Sequence, residues 1–218
     1  MFLSKLTVNI HSRTFRRDYA NVHDMHRTLM SAYPELPPTT VARQTHGILW
    51  RLDSHRGGFT QYVQSHTEPD WTKLPDGHLT TPAETRPLQP VLDAVAAGRK
   101  FAFRLVANPT KCDGKTRRRI PFRQPADQID WLIRQGERHG FAIPAAARGL
   151  PDIATTPITK ITGQKNQTTK ITVEPVRFDG HLLVTDPAAF TAALTNGIGR
   201  AKAYGCGLIS LAPARTAG

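Results

Sequence analysis

The chain has 218 residues with 39% hydrophobic content, enough for one large domain or two of about 100 residues, and no apolar run nears the roughly 20 residues of a membrane span. Its formal charge is +12, distributed unevenly: residues 1–98 carry 10 Lys and Arg against 9 Asp and Glu, residues 99–218 carry 19 against 8. A field this one-sided favours a polyanion, nucleic acid before an anionic membrane. Two cysteines, Cys112 and Cys206, make neither a disulfide framework nor a four-ligand zinc site, and the start Met1-Phe2-Leu3-Ser4-Lys5-Leu6 lacks the pattern of a signal peptide. A reducing, cytoplasmic setting is the expectation.

In chain order, Leu3–Ile10 reads as a strand with Leu6, Val8 and Ile10 on one face. Asn21 caps a helix to about Tyr33, stopped by Pro34, with Val22, Met25, Leu29 and Ala32 as its buried stripe. Ile48–Leu52 and Phe59–Val63 read as strands joined around Gly57-Gly58. Residues 66–98 are irregular, with a short helix near Val91–Ala97, and Phe101–Val106 is a further strand. This β-α-β-β-(α)-β order is ferredoxin-like, or RRM-like.

The order then recurs. A basic extended stretch at 115–123 precedes a helix from Ala126 to His139, ended by Gly140, with Ile129, Leu132 and Ile133 inward. Ile171–Phe178 and His181–Val184 are expected as a hairpin across Asp179-Gly180. A helix at 187–196 follows, capped by Asp186 with Pro187 at its first position. A final strand, Leu208–Leu211, closes the unit. The reading is α+β: two tandem ferredoxin-like β-α-β-β-α-β domains, at 1–108 and 109–218.

Between that helix and strand lies Gly-Ile-Gly-Arg-Ala-Lys-Ala-Tyr-Gly-Cys-Gly, with paired glycines Gly197 and Gly199, then Gly205 and Gly207, around Arg200 and Lys202. It lacks the Gly-Lys-Ser/Thr of a P-loop, and it follows a helix where a dinucleotide fingerprint should follow a strand. Amide N–H groups and two cations are positioned to meet a phosphodiester, or the glycines simply make a tight turn.

The start Met1–Leu6, then Ser12-Arg13, Arg16-Arg17-Asp18-Tyr19-Ala20-Asn21 and Met25-His26-Arg27, resembles the CasE (Cse3-type) family of CRISPR repeat-processing endoribonucleases. Glu68-Pro69-Asp70-Trp71, Phe103–Pro109, Asp179-Gly180 and the glycine-rich loop match in the same order, so the resemblance spans the chain. It implies two ferredoxin-like domains and metal-free cleavage of repeat stem-loops in precursor CRISPR RNA, with no small-molecule cofactor. It also implies retention on the product as a subunit of the Cascade complex. The family's catalytic histidine maps to His26. Some relatives carry a tyrosine three residues earlier; here that position is His23, which leaves an auxiliary role open or passes it to a second imidazole.

Metal-free RNA cleavage uses the 2′-hydroxyl against its own phosphorus and needs a base, an acid and positive charge at the phosphorane. His23 and His26, three residues apart, share one side of the first helix. Arg27 is either a neutraliser of the scissile phosphate or a solvated helix residue. Tyr19 reads more readily as packed than as catalytic. For RNA binding, Lys111, Lys115, Arg117, Arg118, Arg119 and Arg123 place six cations within 13 residues. Residues 160–170, with Lys160 and Lys165, suggest a hairpin tip reaching a stem. No RRM-type aromatic run is present. The alternatives are a non-catalytic RNA-binding subunit and, more weakly, a phosphoryl-handling enzyme using the glycine loop for a nucleotide.

Overall fold

The computed structural model describes residues 1–37, 39–146, 149–166 and 168–214. In chain order the elements are β1 (Phe2–Val8), α1 (Arg13–Ala20), α2 (Val22–Met30), α3 (Ala42–Thr45), β2 (Leu49–His55), β3 (Gly58–Ser65), β4 (Glu84–Pro87) and α4 (Gln89–Asp93). There follow β5 (Lys100–Ala107), β6 (Thr110–Cys112), β7 (Arg119–Pro121), α5 (Pro125–His139), β8 (Phe141–Ala142) and β9 (Ile153–Pro157). The chain ends with β10 (Ile161–Gln164), β11 (Lys170–Val173), β12 (Val176–Val184), α6 (Pro187–Asn196) and β13 (Ile209–Pro213). No helix among the described residues is long and apolar enough to cross a membrane.

The chain forms two compact units. The first comprises Met1–Gln89 together with Lys160–Val173 and Lys202–Gly205; the second comprises Pro90–Thr159, Glu174–Ala201 and the chain from Cys206 onward. The expected division at residue 108 is therefore replaced by one near Gln89, with two later segments returning to the first unit.

In the first unit, an antiparallel sheet runs β2-β3-β1-β4, the ferredoxin strand order. Its core includes Leu6, Val8, Leu29, Ile48, Trp50 and Val63. Ile10 lies beyond the end of β1 and is exposed, so the alternation stops at Val8. The predicted helix over 21–33 is α2, and Val22, Met25, Leu29 and Ala32 are buried as the stripe requires. Unanticipated is α1, a polar helix that buries only Phe15 and Asp18, its start marked by Ser12 Oγ accepting from the Phe15 N–H. The last strand of this sheet is Glu84–Pro87, not Phe101–Val106, and an irregular segment replaces the second ferredoxin helix. The short helix expected at Val91–Ala97 is α4, placed earlier and ended at Asp93.

The second unit repeats the order as β13-β5-β12-β8, with β9 also on β12. Its first strand is β5, because Phe101, Phe103, Leu105 and Ala107 alternate into a core with Trp131, Leu132, Phe178, Phe190 and Leu194. Residues 115–123 are not that strand: part of them form the small β6–β7 hairpin. On α5 the buried face centres on Gln128, Trp131, Leu132 and Gly136, while Ile129 and Ile133 are half-buried. Trp131 and Phe178 pack at a ring-centroid separation of 5.9 Å.

The Asp179-Gly180 turn is also corrected. Both residues lie inside β12, where Asp179 is opposite Arg104 on one side and Ala154 on the other. Gly180 serves a close approach instead: a Cβ there would collide with the carbonyl oxygen of Asp152. Ile171, expected on the same hairpin, belongs to β11 and pairs with Gly163 of β10. Gly180→Val is expected to lower the unfolding free energy by about 1–3 kcal/mol through overpacking, measured by chemical denaturation.

Candidate active site

His26 is placed by the way α2 begins. The Asn21 side chain accepts from the His23 N–H at 3.2 Å and donates to Asp24 Oδ2 at 2.8 Å. The same Asn21 oxygen accepts from the Gln164 N–H of β10 at 3.0 Å, and Gly163 leaves no room for a side chain against Asn21 and Val22. The β10–β11 hairpin is thereby fastened to the N-terminus of the helix that carries both histidines.

The other neighbour of His26 is a 3₁₀ turn at Lys202–Tyr204. The Tyr204 ring stands edge-on to the imidazole, with centroids 6.5 Å apart. Trp50 Nε1 donates to the Ala203 carbonyl at 3.1 Å, and Gly205 packs directly on the Trp50 ring. The loop's four glycines, Gly197, Gly199, Gly205 and Gly207, have φ of 75°, 82°, 81° and 94°, which side-chain-bearing residues rarely adopt. Ala201 shares this region at φ 60°, a conformation costing on the order of 1–2 kcal/mol for an L-residue.

Burial, with His23 and Arg43 as like-charged neighbours, drives the His26 imidazole from 6.5 down to about 4. Arg43, whose Nη1 donates to the Ile48 carbonyl at 3.2 Å, is itself lowered by burial. Lys202 is lowered by burial and then by Arg43. Arg43 and Lys202 thus make a half-buried cationic surround for His26, in which Arg43 disfavours the charged forms of both neighbours and which an anion would relieve. His26 is neutral at pH 7 and able to accept a proton. Its Nδ1, like that of His23, is buried with no hydrogen-bond partner among the described residues. The two imidazole centroids are 6.5 Å apart, so they are neighbours without a direct hydrogen bond.

Of the residues selected from the sequence, the structure brings together His26, His23 and Lys202. Arg27 turns elsewhere: its side chain is 74% exposed, 3.8 Å from Asp24, and lines a cavity of about 370 Å³ with Arg17, Thr28, Ser31 and Lys73. Arg200 is exposed in the part of the loop that belongs to the second unit. Arg43 and Tyr204 were missed. Tyr204 stood in view within the glycine-rich loop, but Arg43 lies in a segment without motif or periodicity, and only folding reveals it.

The six cations at 111–123 lie on and around the β6–β7 hairpin, all exposed. Asp113 shapes its turn by accepting from the N–H groups of Lys115 and Thr116, each at 2.8 Å. Lys111 sits over the Phe122 ring at 5.6 Å and Arg123 pairs with Glu174 at 3.4 Å. Lys115, Arg117, Arg118 and Arg119 have no carboxylate partner among the described residues. Lys160 and Lys165 are exposed at the two ends of β10, on a hairpin as anticipated. Among the described residues no three His, Cys, Asp or Glu side chains gather into a metal-ligating group.

Residues 1–213 match the family model described as CRISPR associated protein. The chain is 37% identical over 220 residues to the CRISPR-associated endoribonuclease Cse3 of Thermus thermophilus, covering 98% of this chain and 100% of that protein. It is 30% identical over 192 residues to the CRISPR system Cascade subunit CasE of Escherichia coli, covering 78% and 91%. Among solved structures, Cse3 endoribonuclease bound to a 19-nucleotide RNA superposes with a TM-score of 0.83 at 36% identity, over 98% of this chain and 100% of that one. Thermus thermophilus Cse3 bound to an RNA representing a pre-cleavage complex gives 0.79 at 35% identity, over 97% and 98%. With both ferredoxin-like units and near-complete coverage in agreement, the chain belongs to the CRISPR-associated endoribonuclease family of the Cse3/CasE type.

Proposed function

We propose that this protein cuts precursor CRISPR RNA at the repeat stem-loop, on the 3′ side of the stem, and keeps the product as a subunit of a surveillance complex. The observation that carries this reading is the neutral, half-buried His26 held among Arg43, Lys202 and Tyr204. In the step, His26 takes the proton of the 2′-hydroxyl as the 2′-oxygen bonds to phosphorus. The bond from phosphorus to the 5′-oxygen breaks, and that oxygen leaves protonated as a 5′-hydroxyl opposite a 2′,3′-cyclic phosphate. Tyr204 or the imidazolium can supply the second proton. Arg43 and Lys202 face the charge that builds on the phosphorane, where fixed cations in a water-poor site act most strongly.

Binding is assigned to the hairpin cations Lys111, Lys115, Arg117, Arg118, Arg119 and Arg123, to Lys160 and Lys165 beside α2, and to Arg200 of the glycine-rich loop. A complex-bound role is supported by the E. coli relative, a Cascade subunit, and by a chain of the CRISPR RNA-guided surveillance complex, pre-nicking, that superposes with a TM-score of 0.71 at 29% identity. Two free cysteines, one of them exposed, fit a reducing cytoplasm.

His26→Ala is expected to retain repeat RNA while slowing cleavage by at least about 100-fold, the scale of one acid–base group. Unchanged cutting would remove His26 from the mechanism. Wild-type cleavage is expected to proceed in EDTA and to stop when the nucleotide at the cut carries a 2′-deoxy sugar; tight binding without cutting would instead indicate a scaffold subunit. Arg43→Ala should slow single-turnover cleavage by about 100-fold and raise the His26 midpoint, because a like charge is gone; an NMR titration reads the second effect.

Acid stability tests the same site. The folded His26 midpoint of about 4 lies below its ordinary 6.5, so between these values the unfolded chain binds the extra proton. Its contribution is present above pH 6.5 and lost as pH falls toward 4. Guanidinium melts across this window are expected to fall less steeply for His26→Ala than for the wild type.

A further inference from the structure

Exposed Ile10 and Tyr19, with half-buried Phe59, form a surface patch on the first unit that the cleavage chemistry does not use. Tyr19 is 54% exposed and Ile10 41%. The Tyr19 ring lies 5.2 Å from Phe59 and 5.9 Å from Phe15, and Phe15 in turn lies 5.5 Å from Phe59. Buried Phe15 gives the pair a firm base, while much of Tyr19 stays open to solvent. Ile10 borders the patch across Gly58.

The surroundings of the ring are cationic. Arg13, Arg16 and Tyr19 recur at every third residue of α1, so they share one side of the helix, and all three are exposed. Arg16 Nη2 donates to the carbonyl of His11, the residue after Ile10, at 3.2 Å. Arg56 is exposed in the β2–β3 turn, three residues before Phe59. None of Arg13, Arg16 and Arg56 has a carboxylate partner among the described residues.

We propose that this patch is a stacking platform for an unpaired base of the RNA strand next to the cut, with Arg13, Arg16 and Arg56 meeting the adjoining phosphates. The proposal rests on the ribonuclease reading above. An aromatic face amid guanidiniums without carboxylate partners is the arrangement by which single strands are held without sequence preference. An apolar protein partner would bury those charges with nothing to answer them. Reach is satisfied as well: Tyr19 precedes His26 by seven residues, so their Cα atoms are at most about 25 Å apart even for extended chain. A flank of a few nucleotides leaving the cut can arrive at the ring.

The test places 2-aminopurine, in turn, at each unpaired position on either side of the cut in the cognate repeat. Wild-type protein is expected to quench the probe at one position; Tyr19→Ala abolishes that quenching and Tyr19→Phe retains it. Tyr19→Ala should also weaken flank-bearing RNA about tenfold relative to stem-only RNA, within the range for one lost base–aromatic stack. Arg16→Glu should lower the same ratio and flatten its salt dependence. If Tyr19→Ala leaves both the ratio and the fluorescence unchanged while His26-dependent cutting persists, the platform is wrong and the ribonuclease reading stands. If wild-type protein neither binds nor cuts any form of the cognate repeat, both fall. Normal RNA ratios with loss of co-purifying subunits would give the patch to a protein partner and overturn the proposal.

Discussion

The Asn21 side-chain oxygen receives two backbone N–H groups at once, one from His23 in the helix it caps and one from Gln164, 143 residues further along the chain. This shared acceptor joins α2 to the β10–β11 hairpin. An N-cap removed to alanine typically costs about 1 kcal/mol of helix stability, and here the same atom also seats the β10–β11 hairpin. The cap fixes the start of α2, from which His23 and, one turn on, His26 project. A hairpin bearing Lys160 and Lys165 is fastened at the same point, which brings a strand with exposed cations against the helix with the histidines.

Electrostatic tension is the second organising feature. His26, Arg43 and Lys202 are partly withdrawn from water, and Arg43 adds to the burial that disfavours the charged forms of the other two. Structural stability alone gives no reason to collect cations at such a place. A phosphate entering the site would supply the missing counter-charge, and the cations that add to the burial depressing the imidazole would then favour a transition state with more negative charge than the ground state. Backbone strain at Ala201 and the left-handed glycines of the loop lie in the segment that delivers Lys202 and Tyr204, in keeping with strain being retained where a site must be held in one geometry.

The lopsided charge of the sequence takes on a division of labour. The near-neutral first half supplies the helix that carries His23 and His26, and its cationic neighbours Lys202, Lys160 and Lys165 are returned to it from the basic second half. The densest cationic stretch stays on the β6–β7 hairpin of the second unit, fully exposed, where it can meet a duplex backbone without the desolvation that tunes His26.

Much of this was legible in the sequence. The stripe Val22, Met25, Leu29 and Ala32 declared α2, Asp186-Pro187 declared α6, and the paired glycines declared a loop, because each is a local consequence of helical period, capping or allowed φ. His26 stood out as a candidate from its motif, and the presence of two ferredoxin-like units followed from element succession, although Phe101–Val106 and 115–123 were given the wrong places in it. The unit border, the direct course of β12 through Asp179-Gly180, and the seating of Arg43 and Tyr204 around His26 were not. A glycine after aspartate reads as a turn until another strand's backbone needs the space, as Asp152 does beside Gly180. A strand such as Phe101–Val106 carries no mark of which sheet it will join. Sequence by itself determined the elements of clear period or capping, the charge and the catalytic candidate, since those follow from neighbours along the chain. Tertiary structure alone decided strand partners and the electrostatic company of His26, because pairing and desolvation depend on residues that only folding brings together.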